Sequence, residues 1–333
     1  MANVAINGLG RIGRATLKMV LDAPDLELVA ANDLISLDNL AYLLNYDTVY
    51  GRYEKKVTVT GDGLDLGGHG LRMFSEKNPE QLPWGDLGVD IVFECTGAFA
   101  TREGLEKHLS AGARRAILSA PSKEDGVEWV VYGVNLPSDD ASLITCASCT
   151  TNCIAPVMEV MDRRFGVASS TMTTIHAYTS TQAIVDGPSK KVRRGRAAAA
   201  NLVPTSTGAA KATTKVLTGL EGRFDGVAVR APVPVGSIAD VVVVTKRDTS
   251  VEEVNGVFEE EARSDRYNGI LGAVRDPLVS SDIIKDPRAS IVDLEMTQVV
   301  NGTLVKVMTW YDNEWGYSAQ MVRTAEYLAR QAG

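Results

Sequence analysis

The segment Asn3–Arg14, reading NVAINGLGRIGR, constrains this chain more than any other. A short apolar run, NVAIN, gives way to Gly8, Gly10 and Gly13, and then to a helical spacing in which Ile12, Ala15, Met19 and Val20 share a face. A glycine turn between a strand and a helix lets backbone N–H groups and the helix N-terminus approach a pyrophosphate closely. The same three glycines also serve an ordinary tight turn, so context has to decide. The next run, LELVAAND, ends in Asp33, about twenty residues past Gly13, where a carboxylate bonds ribose hydroxyls and repels a 2′-phosphate. Strand, turn, helix and acid in that order point to a bound dinucleotide, NAD in preference to NADP.

Up to residue 148 the chain keeps alternating apolar runs (VDIVFECTG, RRAILSAP, EWVVYGVN, SLITCAS) with helical patterns. Near-continuous apolar strands joined by helices make a parallel sheet covered on both faces, the doubly wound Rossmann arrangement. Beyond that point STMTTIHAYT, GVAVRAPVP, ADVVVVTKR, SIVDLEMTQVV and TLVKVMTWYD are longer and β-branched, and Asn301-Gly302 is a hairpin signal. The chain therefore reads as α/β: an N-terminal doubly wound domain, then an α+β domain with a mostly antiparallel sheet and helices such as Val251–Ser264 against it. The expected division is residues 1–148, rejoined by a C-terminal helix at about 316–333, and residues 149–315. A length of 333 residues suffices for two such cores.

Net charge is 34 − 42 = −8, which argues against a general nucleic-acid binder. The basic run SKKVRRGR (Ser189–Arg196) then reads better as a loop feeding an anion site than as a nucleic-acid patch. No apolar run is long enough to span a bilayer. MANVAING carries neither a basic head nor a signal core, so a cytoplasmic location is expected. Four cysteines make no disulfide framework, yet Cys146, Cys149 and Cys153 crowd into one segment.

Within ASCTTNCIAP, Cys149 has three readings. A zinc or redox pair with Cys146 needs a second ligand pair, and the chain offers only His69, His108 and His176 beside it; no metal site is expected. An inert buried thiol is the common fate of a lone cysteine, but Ser148, Thr150, Thr151 and Asn152 are polar company for a core. The third reading is a nucleophile at a helix N-terminus. Ile154, Val157, Met158, Met161 and Phe165 share a helical face, Ser148 is a plausible N-cap, and the positive helix end would lower the thiol pKa. Pro156 would call for a kink or a looser first turn. For a base, His69 sits in the Gly-rich loop GGHG and His108 on an exposed face of EGLEKHLSAG, so His176, on the predicted strand TTIHAYT, is the best partner.

INGLGRIGR, ASCTTNCIAP, HAYTSTQ, RAAAANLVPTSTGAAKA, PLVSSD and TWYDNEWGYS together resemble the phosphorylating glyceraldehyde-3-phosphate dehydrogenases over nearly the whole chain. The resemblance implies a cytoplasmic, NAD-dependent oxidoreductase of glycolysis that acts on glyceraldehyde 3-phosphate and inorganic phosphate. In it Cys149 attacks the aldehyde carbon to form a thiohemiacetal, His176 takes the proton as hydride leaves, and phosphate captures the resulting thioester. It implies Thr179 and Arg230 for the substrate phosphate, and Ser148, Thr150, Arg194, Thr207 and Gly208 for the attacking one. Around the cofactor it adds Asn7, Arg11 and Ile12 to the glycines and Asp33, with Lys77 near the adenine and Thr96, Gly97 and Ser119 near the nicotinamide ribose. Asn313 is implied to hold the carboxamide, with Tyr317 beside it. The segment from about Tyr178 to Asn201 is implied to line a neighbouring subunit's cofactor cleft in a homotetramer.

Several positions depart from the family pattern. Lys77 stands where arginine is usual, and Gly187 precedes Pro188 where NAD-specific members carry leucine. RAPVPVGSIAD replaces RVPTPNVSVVD near Val233, and Cys146 is unusual before the nucleophile and is expected to be a buried strand residue. The alternatives are an erythrose-4-phosphate dehydrogenase, which shares the nucleophile segment, and a catalytically silent nucleotide- or RNA-binding protein. HAYTSTQ, Thr207-Gly208 and the filled catalytic positions favour the triose enzyme.

Overall fold

The computed structural model describes residues 1–331, which fall into two compact units. The first comprises the chain up to Tyr132, Leu136–Ala147 and the residues from Ser318 onward; the second comprises Gly133–Asn135 and Ser148–Tyr317.

The first unit runs β1 (Ala2–Asn7), α1 (Arg11–Val20), β2 (Leu26–Asn32), α2 (Leu37–Asn45), a short ribbon of β3 (Tyr46–Asp47) and β4 (Gly51–Arg52), then β5 (Val57–Thr60), β6 (Gly63–Leu66) and β7 (Gly70–Phe74). It continues through β8 (Ile91–Glu94), α3 (Arg102–Ser110), β9 (Arg115–Leu118), β10 (Glu128–Trp129) and β11 (Leu143–Thr145). One sheet has the order β10-β11-β9-β8-β1-β2-β7-β6-β5. The strands from β10 to β7 pair in parallel, and most of their apolar residues are buried, as a sheet covered on both faces requires. The chain leaves β1 toward β2 on one side and returns to β8 on the other. That reversal opens a crevice at the carboxyl ends of β1 and β8, where such sheets hold ligands.

Three local expectations are corrected. β5, β6 and β7 extend the parallel sheet as an antiparallel meander that the apolar-run pattern does not reveal, because VTVT and GLDL are short and partly polar. On α1, Ala15, Leu17 and Val20 are buried, whereas Ile12 and Met19 are half-buried. The burial arc turns toward Lys18, whose ammonium lies 4.4 Å from the centre of the Tyr53 ring. His108 is not on an exposed face; it is completely buried in α3.

The second unit runs α4 (Cys149–Phe165), β12 (Val167–Ala177), β13 (Val203–Ser206), α5 (Ala209–Val216), β14 (Phe224–Ala231), β15 (Ser237–Thr245), α6 (Val251–Ala262), β16 (Leu271–Val274), β17 (Ser290–Val300) and β18 (Leu304–Tyr311). Its sheet order is β13-β14-β12-β15-β18-β17-β16, antiparallel except where β12 meets β14 and β16 meets β17. Asn301 and Gly302 turn β17 into β18 with φ of 51° and 73°, the left-handed pair that such a hairpin demands. α4 is the central helix. Thr150 through Met158 are all buried, so its first residue is carried by a rigid, packed element. The chain stays helical on both sides of Pro156. The last helix, α7 (Trp315–Gln331), begins in the second unit and continues in the first, where Arg330 pairs with Asp25 at 2.7 Å.

Candidate active site

In the first unit a cleft of about 440 Å³ is lined by Asn7, Gly8, Gly10, Asp33, Lys77 and Thr96, all expected at the cofactor, together with Asn32, Leu34, Glu76 and Cys95. The glycines are required by packing. A Cβ on Gly13 would stand 1.9 Å from the Gly8 carbonyl oxygen, and one on Gly8 (φ 93°) 2.7 Å from the Thr96 nitrogen. Gly10 caps α1 without any side-chain hydrogen bond, and a Cβ there would meet nothing within 4 Å. This turn therefore presents bare backbone at a helix N-terminus, which fits a pyrophosphate. Asp33 is held in place: its Oδ2 accepts the Leu9 N–H at 2.6 Å and its Oδ1 the Ile35 N–H at 3.0 Å. Arg11 stands beside the glycines, its guanidinium paired with Asp47 and lying over the Tyr50 ring. Ile12 follows it in α1. Gly97 adopts φ 72° in the loop after β8, and Ser119 follows β9, its N–H bonded to the Glu94 carbonyl at 3.0 Å.

In the second unit Cys149 opens α4 and His176 sits at the end of β12, with Sγ and Nε2 3.3 Å apart. Ser148 caps the helix as expected, its Oγ accepting the Thr151 N–H at 3.1 Å. His176 and Arg230 are register partners across parallel β12 and β14, which brings Arg230 Nη1 within 2.6 Å of the imidazole Nδ1. Nδ1 also lies 2.7 Å from the Ala177 carbonyl oxygen. Arg230 Nη1 can donate either to Nδ1 or, at 2.9 Å, to the Ala177 carbonyl; when it takes the carbonyl, Nδ1 carries the ring proton and Nε2 is an acceptor facing the thiol, the base form.

The charge state differs from expectation. Burial pushes the Cys149 thiol up, and the pull of Arg230, the Thr150 hydroxyl and the N–H groups of Thr150 and Cys149 does not reverse it. Burial, then the Arg230 and Arg194 charges, hold the His176 imidazole at about 3 despite its bond to Ala177. The lowering anticipated from the helix end is outweighed by desolvation. Burial pushes the Cys146 and Cys153 thiols up to about 12. Cys146 lies one residue past β11, its thiol 3.9 Å from the Thr324 hydroxyl.

The expected anion residues divide. Arg230 lies against the histidine and the Arg194 charge acts on it. Thr179 Oγ1 meets Thr181 Oγ1 at 2.9 Å, and Arg194 Nε donates to Thr205 at 3.1 Å. The Thr150 hydroxyl meets Tyr311 at 2.9 Å and also acts on the Cys149 thiol. Thr207 and Gly208 open α5, with Thr207 Oγ1 accepting the Ala209 N–H at 3.1 Å. Asn313 Oδ1 accepts from Ser237 at 2.9 Å, and Tyr317 is buried in α7. A larger cleft in this unit, about 560 Å³ beside Ser169, Lys211 and Arg223, is lined by none of these residues.

Sequence reasoning missed two residues. Tyr311 hydrogen-bonds both Thr150 and Thr174 (2.8 Å) and meets the His176 ring edge-on, with centroids 5.9 Å apart. Glu94 lies fully buried beneath Asn7 and Thr96; a carboxylate ending an apolar strand in VDIVFECTG was the available signal.

No helix among the described residues is long and apolar enough to cross a membrane. Two family models match: the glyceraldehyde 3-phosphate dehydrogenase NAD binding domain over residues 2–102, and the C-terminal domain of the same family over residues 148–313. The chain is 46% identical over 332 residues to glyceraldehyde-3-phosphate dehydrogenase 2 of Streptomyces avermitilis, covering 98% of each. It is 44% identical over 339 residues to the glyceraldehyde-3-phosphate dehydrogenase of Clostridium acetobutylicum, covering all of both. The corresponding protein of Geobacillus stearothermophilus is 45% identical over 329 residues, again with 98% of each chain covered. With a glycine turn and Asp33 lining one cleft, and a thiol against an imidazole at the head of a buried helix, the chain belongs to the NAD-dependent glyceraldehyde-3-phosphate dehydrogenase family.

Proposed function

We propose that the chain carries out its family's glycolytic reaction, converting glyceraldehyde 3-phosphate and inorganic phosphate to 1,3-bisphosphoglycerate, with Cys149 as nucleophile and His176 as base. The contact between Sγ and Nε2 at 3.3 Å carries this reading. Nε2 accepts the thiol proton as sulfur bonds to the aldehyde carbon, then returns it to the oxygen, giving a thiohemiacetal. The same nitrogen takes the hydroxyl proton as hydride departs, leaving a thioester. NAD, when bound, supplies the hydride acceptor. Phosphate oxygen then attacks the thioester carbon and the C–S bond breaks, returning the sulfur as thiolate. The thioester keeps oxidation energy that hydrolysis would discard. The Cys149 N–H serves as oxyanion donor.

Thr179 and Arg230 are assigned to the substrate phosphate, and Ser148, Thr150, Arg194, Thr207 and Gly208 to the attacking one. Two observations support an anion here: burial, with the Arg194 charge, disfavours the charged form of Arg230, and Arg230 Nε is buried without a hydrogen-bond partner. Asn313, Tyr317, Thr96, Gly97 and Ser119 are assigned to the nicotinamide end. The first unit, with its C-terminal helix, is the NAD-binding domain and the second the catalytic domain.

A homotetramer is supported by the second unit's open sheet face, where Ile175, Val229, Ile238, Val242, Met308 and Trp310 are only half-buried. Ile184, Val185 and Val192, in the segment assigned to a neighbour's cleft, are 85%, 73% and 84% exposed. Four free cysteines accord with a cytoplasmic location.

The test is initial rate with NAD on the triose and tetrose phosphates, with and without phosphate or arsenate. Turnover of the triose that depends on the oxyanion supports the reading. Faster turnover of erythrose 4-phosphate, or turnover indifferent to phosphate, would overturn it.

A further inference from the structure

Below the cleft of the first unit lies a buried polar network that the reaction steps do not use. Asn7 pairs in register with Glu94 on one side and Asn32 on the other, so three polar side chains stand abreast at the carboxyl ends of β8, β1 and β2. Glu94 Oε1 accepts the Thr96 N–H at 2.8 Å and the Thr96 hydroxyl; its Oε2 accepts Asn7 Nδ2 at 2.6 Å and His108 Nε2 at 3.0 Å. Asn7 Oδ1 in turn accepts Asn32 Nδ2 at 2.8 Å. Asn32 closes on the Glu76 backbone, taking its N–H at 2.8 Å and donating to its carbonyl at 2.9 Å.

The far end of the network fixes its direction. The Trp84 indole N–H can only donate, and it donates to His108 Nδ1 at 3.1 Å. Nδ1 is therefore an acceptor, and the single ring proton of the neutral imidazole sits on Nε2, aimed at Glu94. Four donors thus converge on one carboxylate and fill its acceptor positions. Trp84, Glu94 and His108 have no solvent exposure at all. A carboxylate so placed cannot shift without abandoning buried donors, which is costly. The residues it holds are a different set: Asn7, Asn32, Glu76 and Thr96 all line the cleft.

We propose that Glu94, oriented by His108 and Trp84, is a positioning residue for the dinucleotide. It ties Asn7 at the end of β1 to the Thr96 loop after β8, and so sets the separation of the two cleft walls. The inference rests on the cleft being the NAD site.

The experiment uses the full chain with three substitutions, Glu94→Gln, His108→Leu and His108→Gln, reading NAD dissociation constant, KM for NAD, kcat and thermal midpoint. Glutamine at 94 sets an amide N–H₂ against two donors. Leucine at 108 removes the donor to Glu94, and glutamine there restores an amide N–H. Glu94→Gln is expected to weaken NAD binding about 10-fold or more, since a buried charged acceptor is lost, with kcat at saturating NAD within about 2-fold. His108→Leu should weaken it by about 3- to 10-fold, and His108→Gln should recover most of that. NAD affinity within about 2-fold of wild type in the folded variants overturns the proposal, as does a joint fall of kcat and affinity that glutamine at 108 fails to rescue. Should Glu94→Gln not fold, the pair at 108 decides alone. Failure of the wild-type protein to bind NAD would instead overturn the reading of the cleft.

Discussion

Two helices of this protein begin where negative charge is handled, and they are built in opposite ways. α1 starts at Gly10, which offers no side chain to its first turn, and Gly8 and Gly13 strip the approach of Cβ atoms. α4 starts at Ser148, whose hydroxyl already accepts the Thr151 N–H, and the next residue is the thiol. The uncapped turn suits a ligand that arrives carrying its charge. The capped one suits a nucleophile that generates charge only when a base removes its proton. The raised Cys149 thiol and the depressed His176 imidazole fit that second design, since both shifts disfavour the charged form. The contrast teaches that a helix N-terminus is only one influence on the thiol: burial pushes it up while Arg230 and the first-turn N–H groups pull it down.

The largest effects should fall on the capped helix alone. Cys149→Ser is expected to cut turnover by about 10⁴-fold or more while leaving the NAD dissociation constant within about 2-fold of wild type. His176→Asn should cost about 10²- to 10⁴-fold and slow alkylation of Cys149 by iodoacetamide, because the base is gone. If Cys149→Ser lost NAD affinity in step with turnover, the two helix starts would not be separable devices.

The uncapped helix is probed with its own glycines. An Ala at 13 would force a Cβ to 1.9 Å from a backbone oxygen, an overpacking that costs about 1–3 kcal/mol or more. An Ala at 10 meets no protein atom, and φ is −68° there, so it should melt as the wild type does. Yet Gly10 lines the cleft, so its methyl should weaken NAD binding measurably. Unchanged affinity in Gly10→Ala would mean that no ligand comes close to that backbone.

What the sequence made legible follows from local pattern. Glycine spacing, strand period and a Ser N-cap are written within a few residues, so β1, α1, Asp33, α4 and the Asn301-Gly302 hairpin could all be placed. His176 was separable from His69 and His108 by its β-branched strand. Properties set by tertiary surroundings were hidden. EGLEKHLSAG looks solvated around His108, and only the arrival of Trp84 and Glu94 turns that face inward. Arg11 lies beside the glycines, yet Asp47 and Tyr50 claim its side chain. The net direction of the Cys149 shift depends on how completely neighbouring elements bury it, which no local motif encodes.

The depressed imidazole also makes an acid signature that the glycine turn should lack. His176 has a folded value of about 3, below the unfolded value of about 6.5. Between those values the unfolded chain binds more protons, so this contribution is full above about pH 6.5 and is lost as pH falls toward 3. Urea unfolding at pH 7 and pH 5 should show the wild type losing about 2 kcal/mol more than His176→Asn over that interval. Gly10→Ala should follow the wild type. Equal losses in wild type and His176→Asn would mean that the histidine is not held neutral.

The smallest expected effect tests whether the cap matters at all. Ser148→Ala removes the acceptor of the Thr151 N–H and should cost about 1 kcal/mol, whereas Ser148→Gly should cost only a few tenths. Denaturant midpoints at constant slope resolve that difference. α4 is buried along nearly its whole length, so an alternative is that packing alone fixes where it starts. Equal stability of Ser148→Ala and the wild type would favour packing. The contrast between the two helices would then reduce to the residue that follows each cap: a sulfur that the chain supplies at 149, and bare backbone that a dinucleotide must meet at 10.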